Sequence, residues 1–340
     1  MKKILNCLLL FAIILISCKN KPMMVKYEWL PTSSAPELYP TNICNGSFAL
    51  EDGKSVYIPT SGINHTGWGY AGPLHSQGED LKALPVKLSI TWASFLEKKF
   101  YTGSWDMPID KIKKLFEKGT IDWRGDGTHP SNYSLITVGC TPGGLVIVWV
   151  YGDDQQIEVA RFQATETNLA IKDVVPSNPS LTLEEYFDVS KSVPQAYENL
   201  KKGGIQYGIW DTYRKKYDWR ARIEIPNHKL INVGIEMFNG EEETLFNETV
   251  INNTFKPRAV PRLIDFIFEN KSKAQTVFQI KYFDEEEIFN LFKQVDATKP
   301  IEVVLRMNED LSNRRLVFKQ EGKEFTIRKI DLENMWKYEQ

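Results

Sequence analysis

The side chains best suited to covalent or metal chemistry are few: four cysteines and four histidines in 340 residues. His65, His75, His129 and His228 fall in no metal-binding spacing, and no Cys-x-x-Cys pair occurs. No metal or cofactor site is therefore expected. Thr137–Tyr151, TVGCTPGGLVIVWVY, sets a Gly pair and a cysteine between two apolar runs. A phosphate-binding Walker loop would continue with Lys-Ser/Thr into a helix, and a dinucleotide fingerprint would also open a helix. Here Leu145–Val150 is an apolar, mostly β-branched run instead. Gly139-Cys140-Thr141-Pro142-Gly143 copies the glycine spacing of a nucleophile elbow, but a proline stands at its fourth place and a strand-like run follows. Thr141-Pro142-Gly143-Gly144 fits a type II turn, in which proline fixes φ at the first central position and glycine supplies φ > 0 at the second. The stretch thus reads as a hairpin, and no catalytic residue is assigned.

Two polar loops remain as candidates for contact with a ligand or partner. Ile121–Tyr133 (IDWRGDGTHPSNY) carries Asp122, Trp123, Arg124, Asp126 and His129, an acid–cation–base set in one Gly-rich loop. Asn64–Tyr70 (NHTGWGY) carries His65, Trp68 and Tyr70. Glycines on both sides of Trp68 permit either a displayed ring or one folded back onto a sheet. Asp153-Asp154 reads as a turn, and Glu285-Glu286-Glu287 as a helix N-terminus, where negative charge is favourable.

The chain begins MKKILNCLLLFAIILISCKNKP. Lys2 and Lys3 precede an apolar run, Leu5–Ser17, that is shorter than the ~20 residues needed to cross a bilayer. Residues 1–17 read as an export signal. Leu15-Ile16-Ser17-Cys18 resembles a bacterial lipobox. That resemblance implies cleavage before Cys18 and lipidation of its sulfur and of the new amino terminus. Several acyl chains, at ~0.8 kcal/mol per buried CH₂, make a stable membrane anchor. No Asp stands at the second mature position, since Lys19-Asn20 follows, so the periplasmic face of the outer membrane is expected. Residues 18–26 form a tether. Cys44 and Cys140 would then sit in an oxidising compartment, as a disulfide or as two separate buried thiols. A net charge of −2 gives no footprint for nucleic acid.

Beyond the tether, period-two alternation in Leu84–Trp92 argues a half-buried strand. In WDMPIDKIKKLFEKG, Asp106 can cap a helix whose apolar stripe is Ile109, Ile112, Leu115 and Phe116, with Gly119 as its stop. Ser134–Cys140, Leu145–Tyr151 and Ile157–Gln163 then read as an antiparallel meander joined by short turns. The order recurs later. Thr276–Phe283 is strand-like, Asp284 and Glu287 have capping-box spacing, and Ile288, Leu291, Phe292 and Val295 form a stripe. Ile301–Met307, Arg315–Lys319 and Phe325–Ile330 follow as strands. Leu230–Phe238 and Glu243–Val250 flank Asn239-Gly240, a hairpin signal. Tyr27-Glu28-Trp29 is echoed by Tyr217-Asp218-Trp219. The expectation is an α+β protein, predominantly antiparallel β-sheet with one short amphipathic helix per half. Two similar halves stand in tandem, residues 27–175 and 209–340. A linker, residues 176–208, carries a helix over Leu183–Asn199.

An ordered set of motifs carries a family resemblance: Leu38-Tyr39-Pro40, Gly67-Trp68-Gly69, Leu84-Pro85 to Trp92, Glu97–Tyr101, Pro108 to Phe116, and Val138-Gly139 to Trp149. Over roughly Tyr27–Gln163 the chain resembles the bacterial lipoprotein family called domain of unknown function 2931. The resemblance brings no catalytic residues. It implies an envelope lipoprotein, and some relatives stand beside type VI secretion effectors, which implies an immunity-type protein as one alternative. The expected function is a non-enzymatic protein- or ligand-binding module, held to a membrane by its lipid and facing a protein partner in the envelope. An envelope hydrolase with an unrecognised site is the other alternative.

Overall fold

The computed structural model describes residues 24–60, 62–124 and 128–337. The expected signal segment, Cys18 and Asp126 lie outside them. The first part runs β1 (Tyr27–Glu28), β2 (Leu30–Ser34), β3 (Thr41–Leu50), β4 (Ser55–Tyr57), β5 (Leu81–Lys82), β6 (Pro85–Ser94), β7 (Lys99–Asp106), α1 (Ile109–Lys118), β8 (Thr120–Asp122), β9 (His129–Ser131), β10 (Leu135–Cys140), β11 (Leu145–Gly152), β12 (Gln155–Gln163) and β13 (Thr165–Thr167). Helices α2 (Ile171–Val174), α3 (Leu183–Phe187), α4 (Pro194–Gly203) and α5 (Ile209–Tyr213) follow. Then come β14 (Tyr217–Glu224), β15 (His228–Met237), β16 (Glu242–Phe246), α6 (Asn247–Ile251), β17 (Lys256–Arg258), β18 (Pro261–Asn270), β19 (Gln275–Ile280), α7 (Glu285–Gln294), β20 (Ile301–Arg306), β21 (Arg315–Gln320), β22 (Lys323–Thr326) and β23 (Met335–Lys337). The class is α+β, as expected, with mostly antiparallel pairing.

In the N-terminal part the sheet β13-β7-β6-β3-β4 shares one core with β2-β10-β11-β12. Phe48, Leu88, Ile90 and Trp92 meet Ile136, Val138, Val146 and Val148, and Ile112 and Phe116 of α1 close the core. In the C-terminal part the sheet β17-β14-β20-β21-β22 shares a core with β16-β15-β18-β19. Trp219, Val303, Leu305 and Phe318 meet Val233, Ile264, Phe266 and Phe268, closed by Ile288, Leu291 and Phe292 of α7. β2 is parallel to β10, and β14 is parallel to β20; the other strand pairs are antiparallel. In each case the parallel partner is the strand that begins the meander after the amphipathic helix. Trp29, just ahead of β2, and Trp219, in β14, are both fully buried. Each large side chain removed from water contributes about 1.5–3 kcal/mol, so these two cores hold the fold.

The sandwiches share a sheet. Gln155 and Gln156 of β12 pair with Glu243 and Glu242 of β16, which joins nine strands in the order β2-β10-β11-β12-β16-β15-β18-β19-β23.

Several local expectations need correction. Asp106 stays in β7, and α1 starts after Pro108 without a side-chain cap, because the fixed φ of proline already prepares the first turn. The single helix over Leu183–Asn199 is two: α3 ends at Phe187 and α4 begins at Pro194, since proline inside a helix loses a hydrogen bond and clashes with the preceding turn. Asp284 caps α7 by accepting from Glu287 N–H (2.9 Å). The reciprocal half of the box is missing, because the Glu287 carboxylate accepts from the N–H groups of Arg328 and Lys329 at 2.9 and 2.7 Å. The strand expected over Glu243–Val250 ends at Phe246 and turns into α6. The turn at Pro142-Gly143 is as expected, with Gly143 at φ 76° and ψ 7°.

Cys44 and Cys140 are separate free thiols, not a disulfide. Cys140 points into the N-terminal core, whereas Cys44 packs with Phe95, Phe100 and Phe187 on the opposite face of its sheet. Burial holds the Cys140 thiol well above the ordinary thiol range and pushes Cys44 up to about 11.

Candidate functional site

β11 is buried on both faces. Val146, Val148 and Val150 face the core, while Leu145, Ile147 and Trp149 face outward beneath Tyr39, Trp68 and Trp210. Trp68 is only 6% exposed and meets Trp149 edge-to-face at 4.7 Å. Of the two orientations open to it, the folded-back one is realised. The flanking glycines serve a different purpose from display. A Cβ on Gly69 would lie 2.6 Å from Gly240 Cα, so the loop and the β15–β16 turn meet backbone to backbone. Gln156 Nε2 donates to the carbonyls of Gly69 (2.9 Å) and Gly240 (2.5 Å). Trp149 Nε1 donates to Asn239 O at 3.2 Å. This joint explains Gly69 and Asn239-Gly240, whereas Gly67 is required by its φ of 111° and by the Tyr70 ring, 2.6 Å from where its Cβ would stand.

Tyr70 extends the joint. Its hydroxyl donates to Glu236 Oε2 (2.5 Å), and the Arg262 guanidinium lies 4.5 Å from its ring centre. Arg262 also donates to Glu236 Oε2 at 2.9 Å. His65 is exposed on the same loop and takes no part.

The other candidate loop does not converge on a reactive centre. Arg124 bridges Asp122 (2.7 Å) and Asp153 (2.9 Å) at the surface. His129 is exposed on β9, and Asp126 lies outside the described residues. Trp123 departs from its neighbours: it forms a wall of a cleft over the outer face of the C-terminal sheet.

This cleft, about 300 Å³, is the most distinctive polar feature among the described residues. Its floor is Gly234 and Glu236 of β15, Glu242 and Thr244 of β16, and Asp265 and Ile267 of β18; Trp336 of β23 forms the wall opposite the floor's β16 edge. Alternation explains the set. Val233, Ile235, Ile264 and Phe266 point into the core, so the residues between them point out. Glu236 stands directly across from Glu242, and Asp265 from Gly234, which contributes no side chain. Like charges placed opposite one another destabilise a sheet. Glu236 is relieved by Arg262 and Tyr70. The Glu242 side chain has no hydrogen bond or ion pair among the described residues, and burial together with Glu236 pushes it up to about 7, against a smaller pull from Arg262. Burial likewise pushes Asp265 up to about 6, with Gln279 opposing and Glu236 adding. Asp265 Oδ1 is enclosed without a partner. Glu243, the next residue of β16, turns to the other face and pairs with Arg258 (2.7 Å) and Lys256.

A family model described as "Protein of unknown function (DUF2931)" matches residues 17–208. The chain belongs to this family. The DUF2931 match ends before β14, so it takes in Trp68, Tyr70 and Trp123 but not Glu236, Glu242, Asp265 or Trp336. No curated protein and no solved structure matches the chain. Among the described residues, no helix is long and apolar enough to cross a membrane.

The acidic residues of the cleft escaped the reading by motif. A signal for them was present: Glu236 and Glu242 lie three residues to either side of Asn239, so a hairpin turning there sets them across from each other. Asp265 and Trp336 carry no such local cue, because only the pairing of β18 with β15 and of β23 with β19 brings them in.

Proposed function

We propose that this DUF2931 protein is a lipid-anchored envelope protein that binds a partner and does no chemistry on it. The observation that carries the reading is Leu15-Ile16-Ser17-Cys18 directly after a short apolar run, only nine residues ahead of Tyr27, where the folded body begins. A tether of that length spans at most ~30 Å, which holds the body at a membrane surface. The binding part of the reading is supported by the cleft, an open concave surface in which Glu242 and Asp265 have no counter-charge of their own. The exposure of His65, on the loop before Trp68, and of His129, on β9, favours binding over hydrolysis. The recurrence of one strand order in residues 30–163 and 217–326 supports reading the chain as tandem halves, of which the second presents the binding face.

Cys18→Ala is expected to move the protein from the membrane fraction to the soluble envelope fraction and to abolish its labelling by palmitate. Continued palmitate incorporation by the variant would refute the anchor.

A further inference from the structure

We propose that the cleft between Trp123 and Trp336 recognises an organic cation, a guanidinium or ammonium group on a side chain of the protein partner, over Glu242 and Asp265. This rests on the binding reading above and names the chemistry of its site. Three carboxylates face the cleft, Glu236, Glu242 and Asp265, and one cation, Arg262, is bonded to the first. The Glu243 charge is already matched on the opposite face. Two carboxylates are therefore left without a counter-charge where water is partly excluded, and one of their oxygens, Asp265 Oδ1, is enclosed with no donor at all. Enclosed acceptors of that kind are costly unless a donor arrives. Indole walls select the donor's class, because a guanidinium or ammonium is drawn to an indole face while its methylenes cover apolar surface. A metal ion fits less well: no group of three or more His, Cys, Asp or Glu among the described residues is placed to hold one. The volume, about 300 Å³, suits one side chain rather than a peptide segment.

The chain from Lys19 onward retains every described residue and removes the lipid from the measurement. It would be titrated at pH 8 with n-butylguanidinium, with neutral n-butylurea, and with the peptide acetyl-Gly-Gly-Arg-Gly-Gly-amide. The readout is the indole N–H resonances of Trp123 and Trp336, identified through Trp123→Phe and Trp336→Phe. Saturable shifts are expected with both cations, at roughly millimolar Kd, and none with n-butylurea. The Glu242→Gln/Asp265→Asn double variant should lose at least about tenfold in affinity, a loss of about 1.4 kcal/mol. Affinity should also fall between pH 8 and pH 5, as Glu242 (about 7) and Asp265 (about 6) take up protons beside Glu236, Arg262, Tyr70 and Tyr151. Saturable binding of n-butylurea, undiminished binding by the folded double variant, or no saturable shift with either cation would each overturn the proposal. Saturable binding of n-butylguanidinium with no saturable shift from the peptide would overturn the protein side chain as the source and leave a small free cation. None of these outcomes depends on Cys18, so a failure here is separable from a failure of the anchor.

Discussion

Trp149→Ala is expected to lower stability by about 3–5 kcal/mol, the range for removing a fully enclosed aromatic side chain, and to lower the melting temperature by roughly 5 °C. Trp149 is 0% exposed and is the point at which three parts of the chain meet. Its ring packs on Trp68 at 4.7 Å, its Nε1 donates to Asn239 O at 3.2 Å, and a Cβ on Gly240 would lie 3.0 Å from its ring. Truncation leaves a cavity that backbone at Gly139, Gly69 and Gly240 is poorly placed to fill, and it leaves Asn239 O without its donor. Because the joint ties one sandwich to the other, calorimetry of the variant should resolve two transitions where the parent chain shows one. Trp336→Ala serves as the control. That residue is 45% exposed, and its truncation should cost less than about 1 kcal/mol. A loss below about 1 kcal/mol for Trp149→Ala would show that the joint is not a structural keystone.

Glu242→Gln should stabilise the protein, and only above mildly acid pH. The folded-state pKa of Glu242 is about 7, against an unfolded value near 4.3. Between those values the folded state binds more protons than the unfolded state, so stability falls as pH rises, and the deficit is complete above pH 7. Glutamine cannot ionise and removes the deficit: a gain on the order of 2 kcal/mol is expected at pH 8, and little at pH 4. The adjacent residue has the opposite sign. Glu243 is held below the usual carboxylate range by Arg258 and Lys256, which outweigh its burial. Its contribution is present above the unfolded pKa and is lost as pH falls through the folded pKa, so Glu243→Gln should destabilise at pH 8. Chemical denaturation at the two pH values measures both. A Glu242→Gln curve parallel to that of the parent chain across pH would mean that the carboxylate is not electrostatically stressed. A chain that keeps such a stress in a cleft is consistent with a charge reserved for something that arrives.

The parts of the fold visible in the sequence are those written in short-range patterns. The alternation in β6, the stripe of α1, the Pro142-Gly143 turn and the Asp284 cap each follow from residues within one or two turns of each other. Asn239-Gly240 announced its hairpin. The glycines around Trp68 left both a displayed and a folded-back ring open, because the contact that fixes the loop, Gly69 against Gly240, spans 171 residues of chain. The cysteines, both set in apolar surroundings, were ambiguous until β3 and β10 were seen to point Cys44 and Cys140 in different directions. The cleft was the least legible. Its acids occupy ordinary outward strand positions, and only the joined sheet and the loop bearing Trp123 make them a concavity.

The most direct test of partner binding at this face is photocrosslinking in cells that make the full-length chain. A benzoyl-phenylalanine would replace Trp336 at the rim of the cleft or, as a control, Tyr57, which is exposed on the N-terminal sheet. The expected result is a discrete adduct with an envelope protein from position 336, lost with Glu242→Gln/Asp265→Asn and absent from position 57. No adduct at 336, or the same adducts from both positions, would contradict it.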